Sequence, residues 1–332
     1  MKKATVITIA LILLACVLPL AQGRQDEEVS EAKQRIEARL KQFQIEQQKA
    51  EEELESLKKA EKKEKAKEAK DKVEKSEDRG KPKRAKYERT VQLTSPVSSG
   101  STFAAQTHNG SIAIKGAKVT DCNLVATIIT QAPTDEEAKE LSDKVKLTLV
   151  PSDKRLTLKI DKPERLINKS VSVSLDVKVP NKTSLELVTH NGTVRITDMI
   201  GRLSATTHNG KVIAKNISGT ILLKTHNGYV SCRDISGDAK LHTHNGGIEA
   251  VYSQEAPPIC NVSIDTHNGG IGFMAPPGFS AKVDASTHNG SIRTDLPITV
   301  TGKASKRKLT GTIGTGEGRM YLETYNGSIQ IR

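Results

Sequence analysis

Aromatic residues make up only 3% of the 332-residue chain, and tryptophan is absent. A globular enzyme of this length usually fills its core with more rings, so we expect a thin core of Val, Ile, Leu, Ala and Thr. Such a core suits stacked short strands. The scarcity of rings also argues against recognition of single-stranded nucleic acid, because that recognition depends on aromatic side chains that stack on bases.

Cysteine is also scarce, with Cys16, Cys122, Cys232 and Cys260 the four in the chain. Cys16 lies in the apolar N-terminal segment, which leaves an odd number elsewhere with no close spacing. We therefore expect the other three to be small buried side chains rather than disulfide partners. Cys232 and Cys260 also have the inward parity of the repeat described below.

Motifs for catalysis are missing from the sequence. It contains no phosphate-binding loop, no Gly-x-Ser-x-Gly and no clustered Cys/His zinc signature. Asp198 and Asp234 share their repeat position with Asn216, so we interpret all three as turn formers. The prediction is a protein that is not an enzyme and has no cofactor, and a polysaccharide-active enzyme is the least favoured alternative.

The formal net charge of the chain is +12, and its basic residues form no single block. An excess of basic residues of this size favours binding to anionic surfaces. We expect weak attraction to anionic polymers or lipid headgroups, and no nucleic-acid partner.

Residues 1–23 have the pattern of a secretory signal, with two lysines, an apolar run over 6–18 and small residues at 21 and 23. The predicted cleavage follows Gly23. Two alternatives stay open: lipidation of Cys16 as a lipoprotein, and an uncleaved membrane anchor. All three place the remainder outside the cytoplasm of a bacterium, either secreted or in the cell envelope (periplasm or outer surface). No later segment approaches the ~20 apolar residues of a membrane span.

Residues 24–79 form a charged segment that is rich in good helix formers and has neither Gly nor Pro between 26 and 78. Apolar residues recur every seven positions from Val29 to Leu57, with polar interruptions, so a long N-terminal helix with weak coiled-coil character is predicted. Such a helix could act as a spacer or support self-association. A solvated, partly disordered segment is the alternative, and residues 80–88 are predicted to be a linker.

An internal repeat is the strongest signal in the chain. Thr-His-Asn-Gly occurs seven times and a degenerate Thr-Tyr-Asn-Gly once. The four copies in the middle are evenly spaced, whereas the later ones are further apart, with Pro- or Gly-rich stretches in the longer steps. The copies begin at Thr107, Thr189, Thr207, Thr225, Thr243, Thr266, Thr287 and Thr324.

Apolar and polar residues alternate on both sides of each copy, which indicates strands with one inward face. Asn-Gly by itself would suggest antiparallel hairpins. Near-identical repeats instead favour equivalent strands that stack in parallel, ~4.8 Å apart, as coils of a solenoid. We therefore predict a mainly β, single-stranded β-solenoid (β-helix) over residues 89–332.

The long interval between the first two copies holds strands predicted at 155–160 and 171–179. It also holds one short amphipathic helix, predicted over roughly 134–146. Thr134 and Glu137 have the spacing of a capping box, and Ala138, Leu141 and Val145 form the apolar stripe. We interpret this helix as a lid over apolar surface or strand edges of the solenoid.

These repeats resemble the bacterial putative-adhesin family of β-repeat domains, whose repeats read roughly Thr-x-Asn-Gly-x-[Ile/Val]. Matching stretches are 107–112, 189–194 and 287–292, and the resemblance covers about residues 90–332. It implies an exported β-solenoid, no established catalytic residues, and an adhesin-like or envelope-stress role.

Seven of the eight histidines follow the repeat Thr, and parity places them outward or at a corner. Stacking would align their imidazoles at ~4.8 Å intervals. We expect structural stacking, and keep two alternatives: a shared transition metal and a pH-sensitive strip. The candidate ligands are His190, His208, His226 and His244.

Three functional hypotheses follow. The first is an adhesin-like module, held on the helical spacer, that binds an envelope or cell-surface polymer or protein, with a membrane tether through its N-terminus. The second is a metal- or pH-responsive binding module that uses the histidine ladder. The third is the polysaccharide-active enzyme.

Overall fold

The structure is a computed structural model that describes residues 84–98, 100–301 and 305–332. The predicted leader with Gly23 and Cys16, the predicted helical spacer 24–79 and the start of the predicted linker 80–88 lie outside these residues. The described part is mainly β, with strands joined in one large sheet and one α-helix among the elements described.

The elements are numbered in chain order. The helix is α1 (Asp135–Asp143). The strands are β1 (Ala85–Pro96), β2 (Thr102–Asn109), β3 (Ile112–Ala117), β4 (Asp121–Ala132), β5 (Lys146–Ser152), β6 (Arg155–Asp161), β7 (Ser170–Pro180), β8 (Ser184–Asn191), β9 (Val194–Asn209), β10 (Val212–Asn227), β11 (Val230–Ser236), β12 (Ala239–Asn245), β13 (Ile248–Tyr252), β14 (Asn261–Asn268), β15 (Ile271–Met274), β16 (Ala281–Asn289), β17 (Ile292–Thr294), β18 (Thr299–Val300), β19 (Lys308–Ile313), β20 (Gly318–Asn326) and β21 (Ile329–Ile331).

Parallel pairing of equivalent residues builds the central part of the fold. β10 pairs in parallel with β9 on one side and with β11 and β12 on the other. In this register the residues at 194, 212, 230 and 248 form one column, and each of them is at most 1% exposed. The predicted β-solenoid, rather than a set of separate hairpins, is therefore the architecture of the repeats.

The turn formers expected from the sequence lie at one corner of the coils. Asp198, Asn216 and Asp234 have φ values of 61°, 54° and 55°, in the left-handed region that Asn and Asp tolerate better than most residues. The Asn216 amide donates to Asp198 Oδ1 across 2.8 Å. The strand assignment continues through this corner in β9 and β10, so the predicted second turn is a bend within one long strand.

The last repeat does not occupy the last position of the stack. β20 pairs in parallel with β14 on one side and with β16 on the other, so the copy at Thr324 lies between those at Thr266 and Thr287. β21 lies in the same way between β15 and β17. The outer edge of β16 is covered by antiparallel β19, which leaves the inner side of β16 for the returning chain.

An antiparallel group closes the N-terminal end of the solenoid. β4 pairs antiparallel with both β1 and β7, and β7 pairs in parallel with β3 of the first coil. The structure therefore has antiparallel strands at both ends in addition to the predicted single-stranded solenoid, β4 at this end and β19 at the other. β1 begins at Ala85, so the last residues of the predicted linker 80–88 are strand, because β4 supplies a pairing partner that is distant in sequence.

The amphipathic helix covers this antiparallel group. Thr134 is its N-cap and accepts a hydrogen bond from the Glu137 amide, as the capping spacing predicted. Ala138 and Leu141 are buried. The helix ends at Asp143 rather than near 146, because β5 begins at Lys146. With nine residues, this helix is too short to cross a membrane.

Arg89 of β1 ties the helix to the sheet. One nitrogen of its guanidinium, Nη2, donates to the carbonyls of Ser142 and Val145 at 2.7 and 2.8 Å. Carbonyls at a helix C-terminus lack partners within the helix. The Ser142 carbonyl also accepts from the Val145 amide at 3.1 Å, and Arg89 adds a charged donor at this end of the helix.

The cysteines expected to be small core residues are buried and free. These are Cys122, Cys232 and Cys260. Burial raises the pKa of the Cys122 and Cys232 thiols to about 12, so both stay protonated and unreactive at neutral pH.

Candidate functional site

The Thr of each repeat fastens one coil to the next. All eight of these threonines are at most 7% exposed. In the central coils each hydroxyl donates to the Gly carbonyl of the neighbouring copy: Thr207 to Gly192 at 3.0 Å, and Thr225 to Gly210 at 2.9 Å. Burial of a hydroxyl is costly unless it is hydrogen-bonded, so this contact explains why Thr is repeated at an inward position.

The Asn of each repeat forms a ladder of amides beside the threonines. Asn209 donates from Nδ2 to Oδ1 of Asn191, and Asn227 donates to Asn209, both across 2.8 Å. The same bond joins each neighbouring pair from Asn109 to Asn289. Every amide between the two end members, Asn109 and Asn289, thus acts as donor and as acceptor within the ladder.

The Gly of each repeat allows the coils to approach. A Cβ placed on Gly210 would lie 2.0 Å from the carbonyl oxygen of Gly192. The Gly210 amide donates to the Asn227 carbonyl at 3.0 Å. A side chain at this position would separate the coils and break the ladders, so Gly is required here by contact rather than by flexibility.

The second residue of each repeat points outward and forms a continuous column of rings, which we call the ring column. Neighbouring imidazoles are 4.7–4.9 Å apart between centroids, with planes within 3° of parallel. Tyr325 lies between His267 and His288, at 4.8 and 4.5 Å. The members in spatial order are His108, His190, His208, His226, His244, His267, Tyr325 and His288.

The ring column confirms that the motif histidines stack outward. The four candidate ligands, His190, His208, His226 and His244, are consecutive members of it. Between the two end members, His108 and His288, both faces of each ring are covered by neighbouring rings, so the column presents mainly ring edges to solvent. Those edges carry nitrogen donors and acceptors rather than flat surfaces for stacking.

Desolvation lowers the pKa of His108 and of His226 below the ordinary 6.5, and nearby positive groups add to the effect. For His108 these groups are Lys162 and His190. For His226 they are His208, His244 and His242. A proton on one ring therefore disfavours a proton on the next, and these two imidazoles are mainly neutral at pH 7.

The parallel rings form no ready-made metal site. Throughout residues 84–98, 100–301 and 305–332, no group of three His, Cys, Asp or Glu side chains could hold a metal ion. Parallel planes also direct neighbouring nitrogen lone pairs along the same direction. Two Zn–N bonds of ~2.0–2.1 Å span at most about 4.2 Å, which is less than the ring spacing, so a shared metal would require the rings to turn and approach each other.

A groove of about 780 Å³, which we call the basic groove, lies beside the first four rings of the column. One wall consists of Leu158, Lys159, Ile160 and Lys162, at and beyond the end of β6. β6 pairs with β2 only at residues 155–158. Beyond them, Thr107 and Asn109 of β2 donate to the carbonyls of Val173 and Val171 of β7, at 3.1 and 3.4 Å, and both valines line the groove. The other lining residues include Gln106, Val188, Thr206 and Lys224, which face outward from successive strands.

Every titratable residue that lines the basic groove is a base. They are Lys159, Lys162, Lys224, His108, His190, His208, His226 and His242. Two acids lie close to it without lining it: Asp161 pairs with Lys159 at 3.4 Å, and Asp265 contacts the Nδ1 of His242.

The sequence alone indicated the ring column but not the basic groove. Lys159 and Lys162 lie in no repeat, and their position depends on the pairing of β6 with β2, two strands that are distant in sequence. His242 was visible as a histidine two positions before His244, but its contact with Asp265 follows from the register between β12 and β14. Asp198 and Asp234, the acids weighed for catalysis, lie at the strand corner described above.

These features define a class of protein: a β-solenoid whose coils are joined by Thr, Asn and Gly contacts and which displays an ordered column of rings. The model of the Toastrack DUF4097 family matches residues 34–332, and the chain belongs to that family. This confirms the predicted resemblance to the putative-adhesin β-repeat family. The match begins inside the predicted spacer 24–79, whereas the motifs had suggested a start near residue 90.

Several solved structures are similar to this chain. A putative adhesin from Bacteroides fragilis NCTC 9343 is 14% identical, over 74% of this chain and 97% of that one, with a TM-score of 0.40. A putative cell adhesion protein from Clostridium sporogenes ATCC 15579 is 10% identical, over 73% and 99%, with a TM-score of 0.31. A putative adhesin from Parabacteroides merdae ATCC 43184 is 9% identical, over 74% and 96%, with a TM-score of 0.28. No match was found among curated proteins.

Proposed function

We propose that this chain is a non-catalytic, adhesin-like protein of the bacterial envelope, and that the flank of its solenoid binds a surface polymer or a protein partner. The observation that carries the proposal is the ring column, in which eight outward rings repeat at 4.5–4.9 Å along one flank. Repeated identical groups at a fixed spacing suit a ligand that itself repeats.

The scaffold beneath the ring column supports this proposal because it is rigid. The Thr and Asn ladders hold each ring-bearing residue between two fixed neighbours. A ligand that meets pre-positioned groups loses less conformational entropy on binding than one that must order a flexible surface. The polar groups of the ladders are engaged with one another, which fits a binding role better than a catalytic one.

Export and display belong to the same proposal. The leader 1–23, cleaved after Gly23 or lipidated at Cys16, would send the chain out of the cytoplasm. The charged segment 24–79 would hold the solenoid away from the membrane as a helical spacer and could support self-association.

The proposal is tested by binding of purified envelope polysaccharide to the full-length chain, with released sugar measured in the same sample. We expect retention of the polymer, no product, and weaker retention by a variant with His208→Asn, His226→Asn and His244→Asn. A control variant carries Asn substitutions at exposed residues of β3 and β7 that lie outside the ring column, Lys115→Asn and Lys178→Asn. Release of product, or retention that is unchanged in the histidine variant, would contradict the proposal.

A second candidate, a pH-responsive flank, is favoured by the coupling between neighbouring rings. The pKa of His226 is lowered by burial and then by the imidazoles on either side of it. Acidification would add positive charge to His108 and His226, which are mainly neutral at pH 7, and would change the affinity of the column for charged partners. Polymer retention that is equal at neutral and mildly acidic pH would remove this candidate. Zinc titration by calorimetry tests the metal alternative, with the histidine variant as reference.

A further inference from the structure

We propose that the basic groove binds a linear acidic glycan through the carboxylates of its sugar residues. The inference rests on the proposed function and deepens it, since it names both the part of the flank that is used and the chemistry of the polymer.

The charge of the lining points to an anionic ligand. Three lysines and five imidazoles line the groove, and no Asp or Glu does. Lys162 and Lys224 make no salt bridge to any residue of the described ranges, so both ammonium groups are free for a ligand. Lys162 also lies close enough to His108 to lower the pKa of that imidazole. A carboxylate placed between them would relieve this repulsion and accept hydrogen bonds from both.

The shape of the groove points to a polymer. The groove follows the first four rings, which repeat at 4.7–4.8 Å, and Gln106, Val188, Thr206 and Lys224 repeat beside them, one per coil. A small ligand would be better held by a single enclosed pocket. A chain laid along the coils would instead meet a base at every step.

The uncharged lining points to a sugar backbone rather than to a nucleic acid. Gln106 and Thr206 offer amide and hydroxyl groups to sugar hydroxyls, and Val188, which is 43% exposed, offers a small apolar contact. His108 ends the column and has a ring on one face only, whereas His190, His208 and His226 have rings on both faces, so successive bases have no row of free aromatic surfaces on which to stack.

The test measures binding of the full-length chain to polygalacturonate and to the same polymer after complete methyl esterification. Esterification removes the charge and keeps the backbone. We expect the ester to bind about tenfold more weakly or worse, because charge-assisted hydrogen bonds to carboxylate are lost. We expect a similar loss of polygalacturonate affinity, about tenfold, in the double variant Lys162→Gln and Lys224→Gln.

The matched control is the double variant Lys115→Gln and Lys178→Gln. These lysines are exposed, lie opposite each other in β3 and β7, and do not line the groove. The control has the same net charge as the groove variant, so it should bind polygalacturonate like the unmodified chain if the site is local. Equal losses in the two variants would show attraction to overall charge alone and would overturn the inference.

Other outcomes separate this inference from the proposed function. Equal binding of the acid and its ester overturns the acidic-glycan inference and leaves polymer binding by the flank intact. Single-stranded DNA that binds as tightly as polygalacturonate, with the same dependence on Lys162 and Lys224, would replace the glycan by a general polyanion and also overturn it. Failure of both glycans to bind overturns it too, while retention of envelope polysaccharide decides the proposed function separately.

Discussion

Replacing Gly210 by Ala should destabilise the solenoid strongly. The new Cβ would lie 2.0 Å from the Gly192 carbonyl oxygen, whereas ordinary contact begins at 3.4 Å, so the two coils must separate by about 1.4 Å. Overpacking of this kind typically costs about 1–3 kcal/mol. The positive φ seen at several other glycines does not apply to Gly210, so the loss comes from steric contact rather than from backbone strain.

Separation of the coils would also weaken the hydrogen bonds that cross the same gap. Thr207 donates to the Gly192 carbonyl, and Asn209 donates to Asn191. Each such bond contributes about 1 kcal/mol, so the expected total loss for Gly210→Ala is about 3–5 kcal/mol. That is a large part of the about 5–15 kcal/mol by which most domains are stable.

The assay is urea unfolding followed by far-ultraviolet circular dichroism, and Gly272→Ala is the matched control. Gly272 lies in β15, and a Cβ there would have no atom within 4 Å. We expect the control to unfold within about 0.5 kcal/mol of the unmodified chain. If Gly210→Ala lost no more stability than Gly272→Ala, the Gly192 carbonyl could not lie against Gly210 as described.

Three further predictions concern the ladders, the cap and the histidines. Thr225→Val keeps the shape and loses one hydroxyl bond, so it should lower the free energy of unfolding by about 1 kcal/mol, measured by the same urea assay. Arg89→Met removes the charged donor to two carbonyls at the end of α1 and should cost about 2 kcal/mol; unchanged protection of the helix amides in hydrogen exchange would refute its role. Because the pKa values of His108 and His226 are lowered in the folded chain, the unfolded chain binds protons more readily below 6.5. Stability should therefore fall as pH drops below about 6.5 and be constant above it, and Asn at both positions should flatten this dependence.

The repeat made most of the central fold predictable. Even spacing between identical motifs leaves one register in which Thr, Asn and Gly all meet their counterparts, and the structure has that register. The outward direction of the histidines and the burial of Cys232 and Cys260 followed from the same alternation. The N-cap at Thr134 followed from local capping chemistry.

The identity of the repeats made the register predictable, and it also made the order of the last coils unpredictable. Each copy carries the same ladder residues, so β14 could have paired with β16 as well as with β20. The choice depends on β19, which covers the far edge of β16 and has no repeat motif of its own. The wall of the basic groove likewise depends on pairing between strands distant in sequence, which no local pattern encodes.

The most direct test of the stacked architecture is a nuclear Overhauser measurement between the ring protons of Tyr325 and those of its neighbours, in protein labelled at Tyr and His. Tyr325 is the one phenol among imidazoles in the column, so its signals report a defined place in the stack. If the coils are in register and the copy at Thr324 lies between those at Thr266 and Thr287, Tyr325 should show contacts to both His267 and His288. The two histidines should show none to each other. Direct contact between His267 and His288, with Tyr325 remote from both, would contradict that architecture.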